Sequence, residues 1–196
     1  MAGKVIALIG PSGVGKTTII NNLMVQNGYN RLLLYTDRPP RSYERNGYDY
    51  RFVSNQVIND LLQTRPSLSK STTTLGVFRF VIDHEEIEKA ITANKTSLME
   101  LYLTNLPDFR SRYGSILFSL LLQPISLTLL EKRLKVRSHS EDFIASRIAQ
   151  SLLEMELITR EYQPLLDKTM QVIDEELSLT LSKVQSIIES HMTGLV

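Results

Sequence analysis

A chain of 196 residues, 42% hydrophobic and 22% charged, is long enough for one sizeable core and has the balance of an ordinary globular domain. Its formal net charge of +1 supplies no global field for nucleic acid or an anionic membrane, so any anion binding must be local. The absence of cysteine excludes disulfides, thiolate zinc sites and thiol nucleophiles, and it suits a reducing compartment.

The apolar run after Met1-Ala2-Gly3-Lys4 is too short for a signal peptide, and no stretch reaches membrane-spanning length. A cytoplasmic chain is expected. Val5 to Ile9 is apolar without alternation, as in a strand buried on both faces of a parallel sheet. From Thr17 to Gln26 the residues Ile19, Ile20, Leu23 and Met24 recur at helical spacing, with Asn27-Gly28 as a stop. Leu32 to Tyr35 predicts a second strand, and the polar stretch rich in Arg, Pro and Tyr that follows to about Ser54 is expected to lie outside the core. Next come a helix over Glu85 to Ala93 and strands over Ser97 to Leu103 and Ile116 to Leu122. Helices are then predicted over Leu127 to Val136, Asp142 to Tyr162 and Ser178 to Ser190, with a short strand at Gln171 to Ile173. The pattern is α/β, a parallel sheet flanked by helices, in one domain. The region from about 36 to 83 reads as an inserted subdomain, leaving 1–35 and 84–196 as the core.

Between the first strand and the first helix stands Gly10-Pro11-Ser12-Gly13-Val14-Gly15-Lys16-Thr17, which satisfies G-x-x-x-x-G-K-[ST] in the context that motif requires. Glycines let backbone N–H groups turn inward around phosphate oxygens, and the helix adds its positive end. The pattern points to ATP and magnesium, with Lys16 on the β- and γ-phosphates, Thr17 as a metal ligand, and Gly10, Ser12, Gly13, Val14, Gly15 and Thr18 around the nucleotide.

From Gly10 through Ser54 the sequence resembles the guanylate kinase family. The motifs that carry the resemblance are the loop itself, Thr36-Asp37-Arg38-Pro39-Pro40-Arg41 with Glu44, and Gly47-Tyr48-Asp49-Tyr50-Arg51-Phe52-Val53-Ser54. The resemblance implies a P-loop phosphotransferase in which Arg38, Arg41 and Tyr50 clamp the phosphate of a small phosphorylated acceptor. The chemistry of guanidinium and phenol donors agrees with that role, and a solvated basic loop is the alternative. Farther on, Lys132-Arg133-Leu134, Arg137 and Arg147 look like the family's lid arginines, placing a lid near 137–147. Arg137 and Arg147 are then catalytic, and Arg133 lies on ATP or simply on a charged outer face. Glu100, at the end of an apolar run, is either a carboxylate near the magnesium or a strand cap. The aromatic residues Tyr43, Tyr48, Tyr50 and Phe52 either stack a base or form the subdomain core.

The middle of the chain departs from the family pattern. Leu34 stands where the family has a phosphate-contacting serine, and Ser69 where it has a guanine-reading glutamate. Val77-Phe78-Arg79-Phe80 replaces a Tyr-Tyr-Gly-Ser/Thr segment, and Glu100-Leu101-Tyr102 replaces two acids spaced by one residue. The expectation is an intact phosphate clamp with its guanine readers altered, so that GMP is not the preferred acceptor. Asn105-Leu106-Pro107 through Arg112-Tyr113 and Arg133-Leu134 is similar to ribose 1,5-bisphosphate kinases, which implies a sugar phosphate as alternative acceptor, with Arg79 on its second phosphate. A non-catalytic phosphopeptide module of guanylate-kinase-like type is the other alternative. The three histidines, His84, His139 and His191, show no ligand spacing, and no pattern specifies an oligomeric state.

Overall fold

The computed structural model describes residues 3–72, 78–137, 140–172 and 177–193. Side chains of Thr72 and Arg137 are outside that description, as are Val77, Ile173 and the expected lid residues Ser138 and His139.

β1 (Val5–Ile9) is the centre of a five-stranded parallel sheet. Its neighbours are β7 (Ser97–Glu100) on one side and β8 (Leu117–Pro124) on the other, with β2 (Asn30–Arg31) and β9 (Lys168–Val172) at the edges. Every residue of β1 is buried, and alternation assigns them to opposite faces. Ile6 and Leu8 pack with Ile19, Ile20 and Leu23 of α1 (Lys16–Asn27) and with Val184 and Ile188 of α7 (Leu177–Thr193). Val5, Ala7 and Ile9 pack with Ile87 of α3 (His84–Thr92) and with Leu106 and Phe109 of α4 (Leu106–Tyr113). The architecture is thus α/β, with helices on both faces of a parallel sheet. No helix among the described residues is long and apolar enough to cross a membrane.

A second sheet of four short strands, in the order β4-β3-β6-β5, is built from β3 (Tyr35–Thr36), β4 (Arg51–Phe52), β5 (Leu68–Thr72) and β6 (Arg79–Asp83). The apolar run Leu32 to Tyr35 is therefore not one strand but mostly the link between strands of two sheets. Asn30–Arg31 pairs with β7, Tyr35–Thr36 pairs with β4 and β6, and Leu32 and Leu34 are drawn into the core between them. Apolar content marked the segment correctly as buried, but burial does not say which sheet a strand joins.

The stretch from Thr36 to Ser54 is also less solvated than its composition suggests. Thr36, Glu44, Asp49 and Tyr50 are all buried, because each acid has a partner: Glu44 pairs with Arg38 and Arg41, and Asp49 with Arg31 and Asn21. Two helices went unread. One is α2 (Asn55–Thr64), whose N-cap Ser54 accepts a hydrogen bond from the Val57 amide, and the other is α4, which carries Pro107 in its first turn. The strand expected to reach Leu103 stops at Glu100 and gives way to a 3-10 turn at Leu103–Asn105. Towards the C-terminus, α5 (Leu127–Arg137) and α6 (Glu141–Leu157) are followed by a π-helical turn at Ile158–Tyr162.

Candidate active site

The site begins where β1 ends. Gly10, Gly13 and Gly15 all hold φ between +93° and +146°, a region that side chains with a Cβ rarely adopt. A Cβ on Gly10 would also collide with the Leu122 carbonyl oxygen, so this turn can pass β8 only as glycine. The loop delivers Lys16 and Thr17 to the first turn of α1. Lys16 Nζ donates to the carbonyls of Gly10 at 2.6 Å and Pro11 at 3.1 Å, so the ammonium is folded over the loop it would share with a phosphate.

β7 lies beside β1 in parallel register, which brings its last residue, Glu100, level with Leu8. The Thr17 hydroxyl donates to Glu100 Oε1 at 2.6 Å. Burial, and next the charge of the Glu100 carboxylate, push the Tyr50 phenol well above its ordinary pKa. Glu100 thus bonds the P-loop residue Thr17 and acts electrostatically on Tyr50 of the facing segment.

Facing the loop, Arg38 and Arg41 converge on Glu44, whose side chain is 1% exposed. Arg38 Nη2 donates to Glu44 Oε1 at 2.8 Å and Arg41 Nη1 to the same oxygen at 2.9 Å, while the Arg41 amide donates to Oε2 at 2.7 Å. Burial alone would push the Glu44 carboxyl up, but the Arg38 and Arg41 contacts outweigh it and hold the carboxyl below the usual glutamate value. Arg38 also lies over the rings of Tyr50 and Phe52, at 5.5 and 5.4 Å.

Arg147 reaches the same cleft from α6. Its Nη1 donates to Gln150 Oε1 at 2.9 Å, and Gln150 Nε2 donates to Glu154 Oε1 at 2.7 Å. Burial, reinforced by the like charges of Arg41 and Arg38, lowers the Arg147 pKa, with Tyr102 and Glu154 opposing. Three guanidiniums therefore face one space, which is where a dianionic group would be most stabilised.

One cleft is lined by Gly10, Ser12, Gly13, Gly15, Lys16 and Thr17, by Arg38, Arg41, Tyr50 and Glu100, and by Arg147, Gln150 and Glu154. Val14, Thr18 and Arg133 stand apart from it. With Tyr43, Val136 and Leu177 they line a neighbouring trough of about 720 Å³ on the outer side of the loop. Arg133 Nη1 donates to the carbonyls of Gly13 and Val14 at 3.3 and 3.0 Å. Arg137 is the last residue of α5, and its side chain lies outside the described residues.

Gln150 and Glu154 were missed in the sequence. The signal available was their spacing from Arg147, three and seven residues, which puts all of them on one helical face. Among the departures from the family pattern, Phe78, Phe80 and Tyr102 line the cleft. Leu34 is core, and Ser69 is turned away and bonded to the His84 ring at 2.7 Å. Arg79 does not reach the cleft either. Its guanidinium is bound by Asp37 at 2.8 Å, by Asn59 at 2.5 Å and by the Asn55 carbonyl at 3.0 Å, which removes it as a second phosphate ligand.

A glycine loop between a buried parallel strand and a helix, faced by a cationic clamp, defines a P-loop phosphotransferase. The family model described as guanylate kinase matches residues 2–191, and the chain belongs to the guanylate kinase family. It is similar to the guanylate kinase of Malacoplasma penetrans, at 33% identity over 163 residues, covering 79% of this chain and 80% of that one. The guanylate kinase of Nitrosomonas europaea is 30% identical over 185 residues, covering 92% and 86%. In structure, the guanylate kinase of Anaplasma phagocytophilum superposes with a TM-score of 0.74 over 96% of this chain and 86% of that one; at 17% identity this likeness speaks for the fold. The chain is an ATP-dependent phosphotransferase of guanylate kinase type.

Proposed function

We propose that this enzyme transfers the γ-phosphate of ATP to the phosphate of a nucleoside monophosphate or similar phosphomonoester, and that GMP is not its preferred acceptor. The observation that carries the reading is the convergence of Lys16, Thr17 and Glu100 with Arg38, Arg41, Tyr50 and Arg147 on one cleft. Lys16 exchanges its loop carbonyls for the β- and γ-phosphates, while the inward N–H groups of the loop hold the remaining oxygens. The nucleoside of ATP extends into the trough lined by Thr18 and Arg133. Arg38, Arg41 and Tyr50 fix the acceptor phosphate, and Arg147, with Arg137 from the end of α5, answers charge on the transferring group. Catalysis is then a matter of positioning and charge neutralisation.

The residues also fit magnesium. The Thr17 hydroxyl and the Glu100 carboxylate, 2.6 Å apart, are the oxygen ligands a hard cation takes. No group of three or more His, Cys, Asp or Glu side chains that could hold a metal occurs among the described residues, which agrees with an ion that shares its shell with substrate phosphates and water. Held there by Thr17 and Glu100, magnesium would supply positive charge to offset the charge of the ATP phosphates.

Against GMP stand Phe78 and Phe80, which present rings to the cleft in place of hydroxyls, and Tyr102, a phenol where the family pattern has a carboxylate to read a guanine edge. The sugar-phosphate alternative loses its second phosphate site with Arg79 occupied by Asp37. The proposal, including a cytoplasmic setting suited to a cysteine-free chain, is tested at its centre by kcat/KM for GMP beside AMP, CMP, UMP, dTMP and ribose 1,5-bisphosphate. GMP turned over at about 10⁴ M⁻¹s⁻¹ or faster and ahead of the others would overturn the specificity claim.

A further inference from the structure

The P-loop and the acceptor clamp are carried by different parts of the fold, and one buried cluster ties the two. Asn21 lies four residues after Thr17 and so on the same face of α1; its Nδ2 donates to Asp49 Oδ1 at 3.1 Å. Arg31, at the end of β2, reaches both residues. Its Nη1 donates to Asn21 Oδ1 and lies 3.7 Å from Asp49 Oδ1, while its Nη2 donates to the Asp49 carbonyl at 2.8 Å. The other carboxylate oxygen of Asp49 accepts from the Arg45 amide at 2.8 Å. The side chains of Arg31 and Asp49 are only 5% and 6% exposed.

The place of this cluster gives it more than a packing role. Asp49 immediately precedes Tyr50, and Arg45 immediately follows Glu44, the acid that holds Arg38 and Arg41. On the other side, Asn21 stands one helical turn, about 5.4 Å, beyond Thr17. Between the two walls is a gap of about 150 Å³, lined by Thr17, Thr18 and Asn21 on α1 and by Arg41, Glu44 and Asp49 opposite. Close packing therefore does not fix how far apart the walls stand there. A buried ion pair adds little net stability over apolar side chains of similar volume, and its best-attested use is to fix register.

We propose that Asn21, Arg31 and Asp49 are positioning residues that set the distance from the P-loop to the acceptor clamp, and with it the in-line spacing of donor and acceptor phosphates. The inference rests on the reading of Arg38, Arg41 and Tyr50 as the holders of the acceptor phosphate. The three residues touch neither nucleotide nor acceptor; they act through the segment that carries Arg41 and Tyr50.

The test uses a phosphate chain as a ruler, in calorimetric titrations of the full chain with magnesium present. Adenosine 5′-pentaphosphate places its ATP-like part on the P-loop and its far end at the clamp, so it gains affinity over a non-hydrolysable ATP analogue only when the two sites stand at the right span. Inorganic phosphate, added to protein filled with that analogue, reads the clamp alone. The parent should bind the pentaphosphate at least about tenfold more tightly than the analogue. Asp49 accepts on both carboxylate oxygens, so in Asp49→Asn the new amide nitrogen faces a donor whichever way it turns. Asn21→Asp sets a second carboxylate against the first. Each single variant should lose most of the pentaphosphate advantage, with the analogue and inorganic phosphate still bound within about threefold of the parent. The double variant Asn21→Asp/Asp49→Asn matches donors to acceptors again and should regain the advantage. Arg31→Lys keeps the charge that Asp49 needs but cannot fork to both partners, and it should lose the advantage too. Single variants that keep the parent's advantage overturn the proposal, as does a double variant that fails to regain it. Loss of inorganic phosphate binding in the single variants also overturns it, since the cluster would then build the clamp and not space it. The underlying reading is judged separately: if Arg41→Ala binds inorganic phosphate as well as the parent does, or the parent shows no pentaphosphate advantage, the clamp assignment itself fails and this inference with it.

Discussion

Thr17 and Glu100 come from different strand-and-loop units and are held together by one 2.6 Å hydrogen bond, hydroxyl donating to carboxylate. Both oxygens sit beside the loop that would carry the phosphates. If they share a magnesium ion, Thr17→Ala and Glu100→Gln should each raise the magnesium concentration for half-maximal activity by about tenfold or more. The double variant should fall short of the sum of the two effects, since the residues act on one ion. Unchanged magnesium titrations in both single variants would remove the pair from the metal site.

Lys16 bonds to loop carbonyls rather than packing in the core. Lys16→Ala should therefore fold normally, with a thermal unfolding midpoint near the parent's, while kcat falls by far more than about tenfold. Turnover retained within that tenfold, roughly 1.4 kcal/mol of barrier, would be incompatible with a lysine acting on the transferred phosphate.

The cationic groups of the cleft divide by element, and their kinetics should divide likewise. Alanine at Arg38 or Arg41 should raise the acceptor KM and leave ATP affinity nearly intact, since both lie on the segment facing the loop. Arg147→Ala should lower kcat most if, as proposed, it acts from α6 on charge that develops during transfer. Loss of ATP binding in the Arg38 variant, with acceptor binding preserved, would reverse the assignment.

His84 opens α3 in a buried position, with Ser69 Oγ at 2.7 Å from Nε2 and the Tyr113 hydroxyl at 2.6 Å from Nδ1. Burial, and next the Arg112 charge, lower its pKa below the ordinary histidine value. The unfolded chain then takes up a proton before the folded one. Stability associated with His84 is full above about pH 6.5 and declines as pH falls toward the folded value. In thermal unfolding from pH 7.5 to 5.5, His84→Gln should be less stable at the upper end and show a shallower decline. His191, also lowered by burial and then by Lys4, keeps its share in the variant. An equally steep decline would show that His84 carries none of the pH dependence.

What could be read from the sequence was local in the chain. The glycine loop is eight consecutive residues, and the Arg38, Arg41 and Tyr50 clamp is contained in a segment of similar continuity, so each announces itself without the fold. Glu100 stood out because it is the first charged residue after an apolar run, although the strand itself was expected to continue to Leu103. What escaped depends on pairing across the chain. Leu32 to Tyr35 is apolar throughout, yet only Tyr35 lies in a strand, while the residues just before the run, Asn30–Arg31, pair in the other sheet. Asp49 looks solvated until Arg31 and Asn21 meet it. Arg79 looks available until Asp37, far from it in sequence, claims it. Ser69 shows how an alignment through a divergent stretch can name a position without placing it in the site.

The carboxylate of Glu44 between Arg38 and Arg41 has a further consequence. Two positive charges and one negative leave a single net positive charge, with the acid itself only 1% exposed and so withheld from water. The clamp therefore does not wait as a bare cationic hole that any passing anion would neutralise. An incoming group has to compete with an anion already built in, one the protein cannot lose by dilution. Chloride or a simple carboxylate offers no more than Glu44 does, whereas a phosphate brings greater charge and several acceptor oxygens to planar donors suited to it. If Arg38 and Arg41 hold the acceptor phosphate as proposed, the internal acid acts as an entry threshold, keeping the arginines in place beforehand and making occupancy depend on the charge density of the incoming group.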